Sequence, residues 1–160
     1  MHRYAKIIVF LATVLTVLFL ASLYTKPHLV LTGGGKTLFI HPVYEGEEFS
    51  ITYIHSVNQS PVAEIYQIRH GAIVLSALEF EDFGAGMPSG LEEGKTLFFL
   101  PCGRMRIEGF DRISSSIRYI AGHAVCLVLN IGYEKIPFTQ LAEPGTLIEF
   151  RFARLNFWKR

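Results

Sequence analysis

Hydrophobic and polar positions alternate in short runs along most of the chain. The runs are rich in β-branched and aromatic residues, and Gly, Pro, Asp or Asn separates many of them. They cover residues 38–43, 49–55, 62–70, 73–80, 96–100, 105–110, 116–120, 123–130 and 146–152. After the N-terminal segment, no run is suited to a long amphipathic helix, and residues 139–142, before a proline, are suited to one helical turn. The pattern predicts a mainly β domain, a single antiparallel sandwich or open barrel.

One hairpin is predicted in more detail from residues 49–55 and 62–70, each of which shows one apolar and one largely polar face. If residues 58–61 form a four-residue loop, His55 lies opposite Glu64, and Tyr53 lies opposite Tyr66. A slip by one residue would place apolar side chains against polar ones. The alternation therefore predicts an ionisable His55–Glu64 pair beside an apolar surface.

The N-terminal segment differs from the rest of the chain because residues 7–23 contain no charge. This length is near the lower limit for a transmembrane helix, and the small residues of a signal-peptidase site are not clearly present. We therefore expect an uncleaved N-terminal transmembrane helix, with a cleaved signal peptide as the alternative. Arg3 and Lys6 favour a cytoplasmic N-terminus at the inner membrane, with the domain facing the periplasm or cell exterior.

Four segments follow from these patterns: an anchor or signal segment at 1–25, a connector at 26–36, a β domain at 37–154 and a tail at 155–160. Three glycines at 33–35 indicate a flexible connector or a tight turn.

Composition excludes some classes of function. Half of the residues are hydrophobic and the formal net charge is +1, so neither a disordered chain nor a nucleic-acid binder driven by excess basic charge is indicated. Cys102 and Cys126 fit an oxidising compartment, either as a disulfide or as isolated buried thiols. No Cys-x-x-Cys or zinc-ligand spacing is present, so no metal or other cofactor is predicted.

Several polar and glycine positions form a candidate ligand site. An imidazole beside a carboxylate acts as a proton acceptor, as a metal ligand oriented by its neighbour or as a satisfied polar cap on the core. A glycine-rich loop offers backbone amides to an anion, and a second imidazole begins a later strand. The candidate residues are His55, Ser56, Glu64, Gly84, Ala85, Gly86 and His123.

Five ordered motifs then resemble a bacterial family of unknown function, DUF1850. They are YIHSV at 53–57, PVAE at 61–64, FGAGMP at 83–88, IAGH at 120–123 and LAEPGT at 141–146. The genes of this family commonly neighbour those of TAXI-class TRAP transporters, which pair a solute-binding protein with a permease. The resemblance implies a role beside solute uptake, with the permease or its solute-binding protein as partner.

Three functions remain open at this point. The first is a non-enzymatic accessory or binding domain, with no catalytic residues. The second is an extracytoplasmic hydrolase using His55, Glu64 and His123, although no nucleophile elbow is present. The third is a purely structural subunit of a membrane complex.

Overall fold

The computed structural model describes residues 2–23, 25–81, 93–122 and 125–156. Two antiparallel sheets make up most of the described chain, so the mainly β prediction is confirmed, with the architecture of a sandwich. The strands are β1 Thr25–Gly33, β2 Lys36–Pro42, β3 Glu48–Ile54, β4 Pro61–Arg69, β5 Ala72–Phe80, β6 Thr96–Phe99, β7 Met105–Ser114, β8 Ser116–Ile120, β9 Val128–Ile131, β10 Glu134–Pro137 and β11 Leu147–Asn156. The helices are α1 His2–Leu23 and α2 Phe138–Leu141.

The smaller sheet has the strand order β2-β1-β11-β8, and the larger sheet has the order β10-β9-β3-β4-β5-β7-β6. Strand β1 was not among the predicted strands, since its residues lie largely in the predicted connector. The glycines after it form the tight turn that was one of the two predicted alternatives. Gly34 and Gly35 have φ of 57° and 75°, which glycine adopts without steric cost, and they join β1 to β2.

The main core lies between the two sheets. Fully buried residues from both sheets share one cluster, including Leu29 of β1, Phe150 of β11, and Ile51 of β3. The rings of Phe49 and Phe150 lie parallel, with centroids 6.3 Å apart, across the space between the sheets. This packing holds the inner face of the larger sheet against the smaller one.

A second, smaller apolar cluster lies toward the β5–β7 end of the larger sheet. It contains Val62, Phe80, Met105 and Ile107, all buried. Cys102 and Cys126 lie at exposed positions and are not joined by a disulfide. Of the two alternatives left open for these cysteines, the disulfide is therefore not formed, and the thiols are not buried either.

Helix α1 spans the segment that was predicted to cross a membrane. In the part of the chain that the structure describes, no helix combines the length and the apolar character that a bilayer crossing requires. The prediction of a transmembrane helix is therefore not supported by the structure.

Candidate functional site

Glu64 lies near the middle of the inner face of the larger sheet, but its strand partner is not the one predicted. In the β3–β4 pair Ile51 lies opposite Glu64, and Tyr53 lies opposite Val62. The pairing differs from the predicted one by four residues. Because four is an even number, Tyr53, Glu64 and Tyr66 still share the predicted face.

The longer hairpin loop explains the difference in register. Ile54 pairs with Pro61, so residues 55–60 form a six-residue loop instead of four. His55 N donates to Ser60 O at 2.9 Å, and Gln59 N donates to His55 O at 2.9 Å. Gln59 has a φ of 53°, a left-handed conformation that closes the turn. His55 therefore belongs to the loop and not to the strand.

Three tyrosine hydroxyls surround the Glu64 carboxylate. Tyr53 Oη donates to Oε1 at 3.1 Å, and Tyr66 Oη donates to Oε2 at 2.7 Å. Tyr119 Oη also donates to Oε2 and lies 2.6 Å from Tyr66 Oη. Tyr53 belongs to β3, and Tyr66 lies two residues after Glu64 on β4. Tyr119 belongs to β8 of the other sheet. We call Tyr53, Glu64, Tyr66 and Tyr119 the inter-sheet polar cluster.

The surroundings of this cluster keep the tyrosines protonated. Burial and the nearby Glu64 carboxylate raise the pKa of Tyr53 and the pKa of Tyr66 above the ordinary value. For Tyr119, burial, the neighbouring Tyr66 and then Glu64 raise the pKa in the same direction. A hydroxyl with a raised pKa remains a hydrogen-bond donor at neutral pH. The carboxylate therefore has three stable donors.

Aromatic packing fixes the ring of Tyr119 on the smaller sheet. It meets Phe138 edge-on with centroids 6.0 Å apart, and Phe150 at 5.9 Å. Both phenylalanines are fully buried. Helix α2 begins at Phe138, immediately after Pro137, and this short turn directs the Phe138 ring into the core. The position of the Tyr119 hydroxyl is therefore set by the core itself.

The other predicted site residues in the described chain have different partners. The backbone N–H of Asn58 donates to His55 Nδ1 at 3.4 Å. Ser56 is exposed, and its carbonyl accepts from Gln59 Nε2 at 2.6 Å. No hydrogen bond joins His55 or Ser56 to Glu64 among the described residues. The loop orders the imidazole locally.

The remaining predicted residues, Gly84, Ala85, Gly86 and His123, lie outside the described residues. Their part in a site with His55 and Glu64 stays a prediction. Among the residues that the structure does describe, no group of three His, Cys, Asp or Glu side chains is placed to hold a metal ion.

Sequence reasoning placed Tyr53, Glu64 and Tyr66 on one face but did not identify their hydrogen bonding. The signal was present, because a carboxylate facing a core must find donors and its nearest neighbours on that face are tyrosines. Tyr119 is 55 residues from Glu64 in sequence. Nothing in the local pattern of residues 116–120 points to that contact.

One buried carboxylate outside the cluster was also missed. Glu47, just before β3, is 8% exposed and accepts from the backbone N–H of Tyr44 at 3.1 Å. The His41 Nε2 atom lies 3.7 Å from Glu47 Oε1. This carboxylate closes the turn after β2 through the backbone, so the turn explains its burial.

The chemistry available at the inter-sheet polar cluster is limited because most of the acceptor capacity of Glu64 is used. An ionised carboxylate accepts about four hydrogen bonds, and three are already made by protein groups. Each carboxylate oxygen therefore already accepts from at least one tyrosine hydroxyl. The geometry favours a role in holding the two sheets together over a role as general base.

Comparison with known proteins gives a family and nothing more specific. Neither the curated proteins nor the solved structures include a significant match to this chain. A family model described as "Domain of unknown function (DUF1850)" matches residues 49–138, which include every member of the inter-sheet polar cluster. The match covers more than half of the sequence, and the chain therefore belongs to the DUF1850 family.

Proposed function

We propose that this chain is a non-enzymatic accessory domain, held at the inner membrane by helix α1 and acting beside a TAXI-class TRAP solute uptake system. The observation that carries the membrane part is the exposure of the apolar side chains of α1. Family membership and the gene neighbourhood that the family resemblance implies support the uptake part. The three tyrosine hydroxyls that bond the Glu64 carboxylate support the non-enzymatic part.

Helix α1 exposes apolar side chains on every side. Ile8, Val9, Phe10 and Leu11 are 65%, 64%, 67% and 53% exposed. Four successive residues point in directions about 100° apart, so together they cover the whole circumference of a helix. A helix that is apolar on all sides is buried in a protein core or in lipid. Exposure of this kind favours lipid as the missing environment.

The polar side chains of α1 also suit lipid. Thr13 Oγ1 donates to Val9 O at 2.9 Å, and Thr16 Oγ1 donates to Ala12 O at 2.9 Å. Polar groups within a bilayer must find partners inside the protein. Both hydroxyls satisfy this requirement within the helix. The basic residues Arg3 and Lys6 favour a cytoplasmic N-terminus, with the β domain on the periplasmic side.

Ligand binding at the end of the β3–β4 hairpin is part of the proposal. His55 is only partly buried, and Ser56 is exposed, so both side chains are accessible from the loop. Contacts from Gly84, Ala85, Gly86 and His123 would complete this site. Under the proposal, Glu64 supports the strand that carries the site and does not itself contact the ligand.

The membrane part is tested by charge substitutions in α1. Leu11→Lys and Leu15→Lys together place two cations on the helix surface that is proposed to contact lipid. At the centre of a bilayer each lysine costs about 2.5–3.5 kcal/mol. Thr13→Ser is the matched control because it retains the hydroxyl. We expect the double variant to leave the membrane fraction and the control to remain. Equal amounts of both proteins in washed membranes would refute the attachment.

The uptake part is tested in cells that lack the chain but retain the cognate TAXI permease and solute-binding protein. Uptake of the transported solute is expected to fall without the chain and to return with the wild-type copy. Uptake that is equal with and without the chain would refute the accessory role.

Protease added to oriented inner-membrane vesicles reports the side on which the β domain lies, and digestion from the cytoplasmic side alone would overturn the localisation.

A further inference from the structure

A cleft of about 400 Å³ lies on the outer face of the larger sheet, away from the inter-sheet polar cluster. Its volume is within the usual range for small-molecule sites, roughly 300–1,000 Å³. Strands β4, β5 and β7 form it, together with the turn between β4 and β5. The lining residues are Arg69, His70, Ala72, Val74, Asp111 and Ile113.

Two irregular backbone segments create this cleft. His70 and Gly71, with φ of 51° and 75°, form a tight two-residue turn between β4 and β5. On the other side of β5, strand β7 contains a bulge in which residues 109–111 face only Ser76 of β5. Bulges redirect side chains and are common beside functional sites. This one brings Asp111 to the rim of the cleft.

Close packing fixes the bulge in place. Gly109 has a φ of 90°, and a Cβ at this position would lie 2.4 Å from Gly94 O. Only glycine therefore fits at this point of β7. Asp111 also has a positive φ, 42°, which aspartate tolerates better than most residues. The unusual backbone is thus specified by the sequence and positions one charged group.

The charged groups at the rim form a neutral pair with unused bonding capacity. Arg69 Nη1 donates to Asp111 Oδ1 at 2.6 Å, and Arg69 Nε donates to Gln67 Oε1. Among the described residues, the Nη2 atom of Arg69 has no hydrogen-bond partner. The Arg69 and Asp111 side chains are 41% and 70% exposed, so a ligand can reach both.

The floor beside this pair is apolar. Val74 is almost fully buried at the base, and Ile113, its strand partner on β7, is 74% exposed. Ala72 lies opposite Arg69 in the β4–β5 pair. An exposed isoleucine beside a fixed ion pair provides an apolar contact and two opposite charges within one small cleft.

We propose that this cleft binds the zwitterion of a small α-amino acid with an apolar side chain. The α-carboxylate accepts from the free Nη2 edge of Arg69, and the α-ammonium donates to Asp111. Arginine and aspartate in contact match the adjacent opposite charges of such a ligand, and the pair and the ligand are both neutral overall. The apolar side chain lies on Val74 and Ile113. This inference does not depend on the membrane attachment or on the role in uptake.

Equilibrium dialysis of the full chain in detergent with radiolabelled L-leucine tests the proposal. Leucine is titrated to about 10 mM, which detects sites with Kd near 1 mM. Two unlabelled competitors each lack one charge: 4-methylpentanoate has no ammonium, and 3-methylbutylamine has no carboxylate. We expect saturable leucine binding. Either analogue should compete at least about tenfold more weakly than unlabelled leucine, because each analogue loses a charge-assisted hydrogen bond.

Variants assign the binding to the cleft. Arg69→Gln and Asp111→Asn are each expected to weaken leucine binding about tenfold or more. Arg112→Gln is the matched control, an exposed arginine next in sequence to Asp111 but outside the cleft. Circular dichroism checks that each variant is folded. If a variant is unfolded, the analogue competition on the wild-type chain decides the proposal. No saturable binding, equal competition by the analogues, or unchanged binding by folded Arg69→Gln would overturn it.

Discussion

The charged groups on the two faces of the larger sheet have different surroundings. On the inner face, the Glu64 carboxylate meets three tyrosine hydroxyls, one of them from the opposite sheet. On the outer face, Arg69 meets Asp111 at the rim of an open cleft, and its Nη2 atom has no hydrogen-bond partner among the residues that the structure describes. A carboxylate that lies between two sheets and accepts three protein hydrogen bonds stabilises a fold, whereas an accessible and incompletely bonded group is available to a ligand. The Glu64 carboxylate, although the more conspicuous in sequence, is thus the less available for binding.

The largest effect on stability should come from the inner face. Glu64→Leu removes the common acceptor of three hydroxyls and leaves partly buried donors without this partner, so we expect a loss of about 3 kcal/mol in the free energy of unfolding. Urea unfolding followed by circular dichroism measures it. A loss below about 0.5 kcal/mol would mean that the cluster does not hold the sheets together.

Alkaline pH should weaken the same cluster. The pKa values of Tyr53, Tyr66 and Tyr119 are raised in the fold above the ordinary value of 10.0, so the folded state retains protons that the unfolded chain releases. Their contribution is complete below about pH 10 and is lost as pH rises further, by about 1.4 kcal/mol per pH unit for each tyrosine. The double variant Tyr66→Phe with Tyr119→Phe should show a shallower decline in unfolding free energy. Parallel declines would contradict this origin of the pH dependence.

A smaller effect is expected from the hydroxyl that crosses between the sheets. Tyr119→Phe keeps the ring between Phe138 and Phe150 and removes one hydrogen bond to Glu64, which should cost about 1–1.5 kcal/mol. Tyr133→Phe, at a fully exposed tyrosine, is the control and should leave stability unchanged. Thermal unfolding of the two variants side by side provides the measurement, and equal melting temperatures would argue against the cross-sheet bond.

The smallest effect should come from the outer face. Arg69→Gln breaks an exposed ion pair, and such pairs contribute about 0–1 kcal/mol. We expect a change in unfolding free energy within about 0.5 kcal/mol. A loss as large as that of Glu64→Leu would show that the outer pair is structural as well, and the contrast between the two faces would disappear.

Much of the fold was predictable from the sequence because a strand with one buried face alternates with period two. That rule identified β3, β4, β5 and β8 closely and placed Tyr53, Glu64 and Tyr66 on one face. It does not identify strands whose alternation is interrupted. The Pro27-His28 pair and the following glycines concealed β1. A strand predicted at 123–130 begins only at Val128, after a left-handed Cys126.

The candidate site was harder to predict because its contacts depend on loop length and on distant residues. The four-residue loop predicted for the β3–β4 hairpin is a six-residue loop, which changes every cross-strand neighbour while preserving the faces. The contact of Tyr119 with Glu64 requires the packing of two sheets, and no local pattern specifies it. The outer cleft depends on the β7 bulge at Gly109, where a glycine in the sequence does not by itself indicate a bulge.

We propose that Glu64 supports the fold of the domain and takes no direct part in its activity. Solute uptake is measured in cells that carry wild-type, Glu64→Gln or no copy of the chain, and is compared at equal amounts of folded membrane-bound protein. We expect reduced uptake in cells without the chain and equal uptake for the wild type and for Glu64→Gln. Loss of uptake in Glu64→Gln at a normal amount of folded protein would contradict it and would return the carboxylate to the functional site.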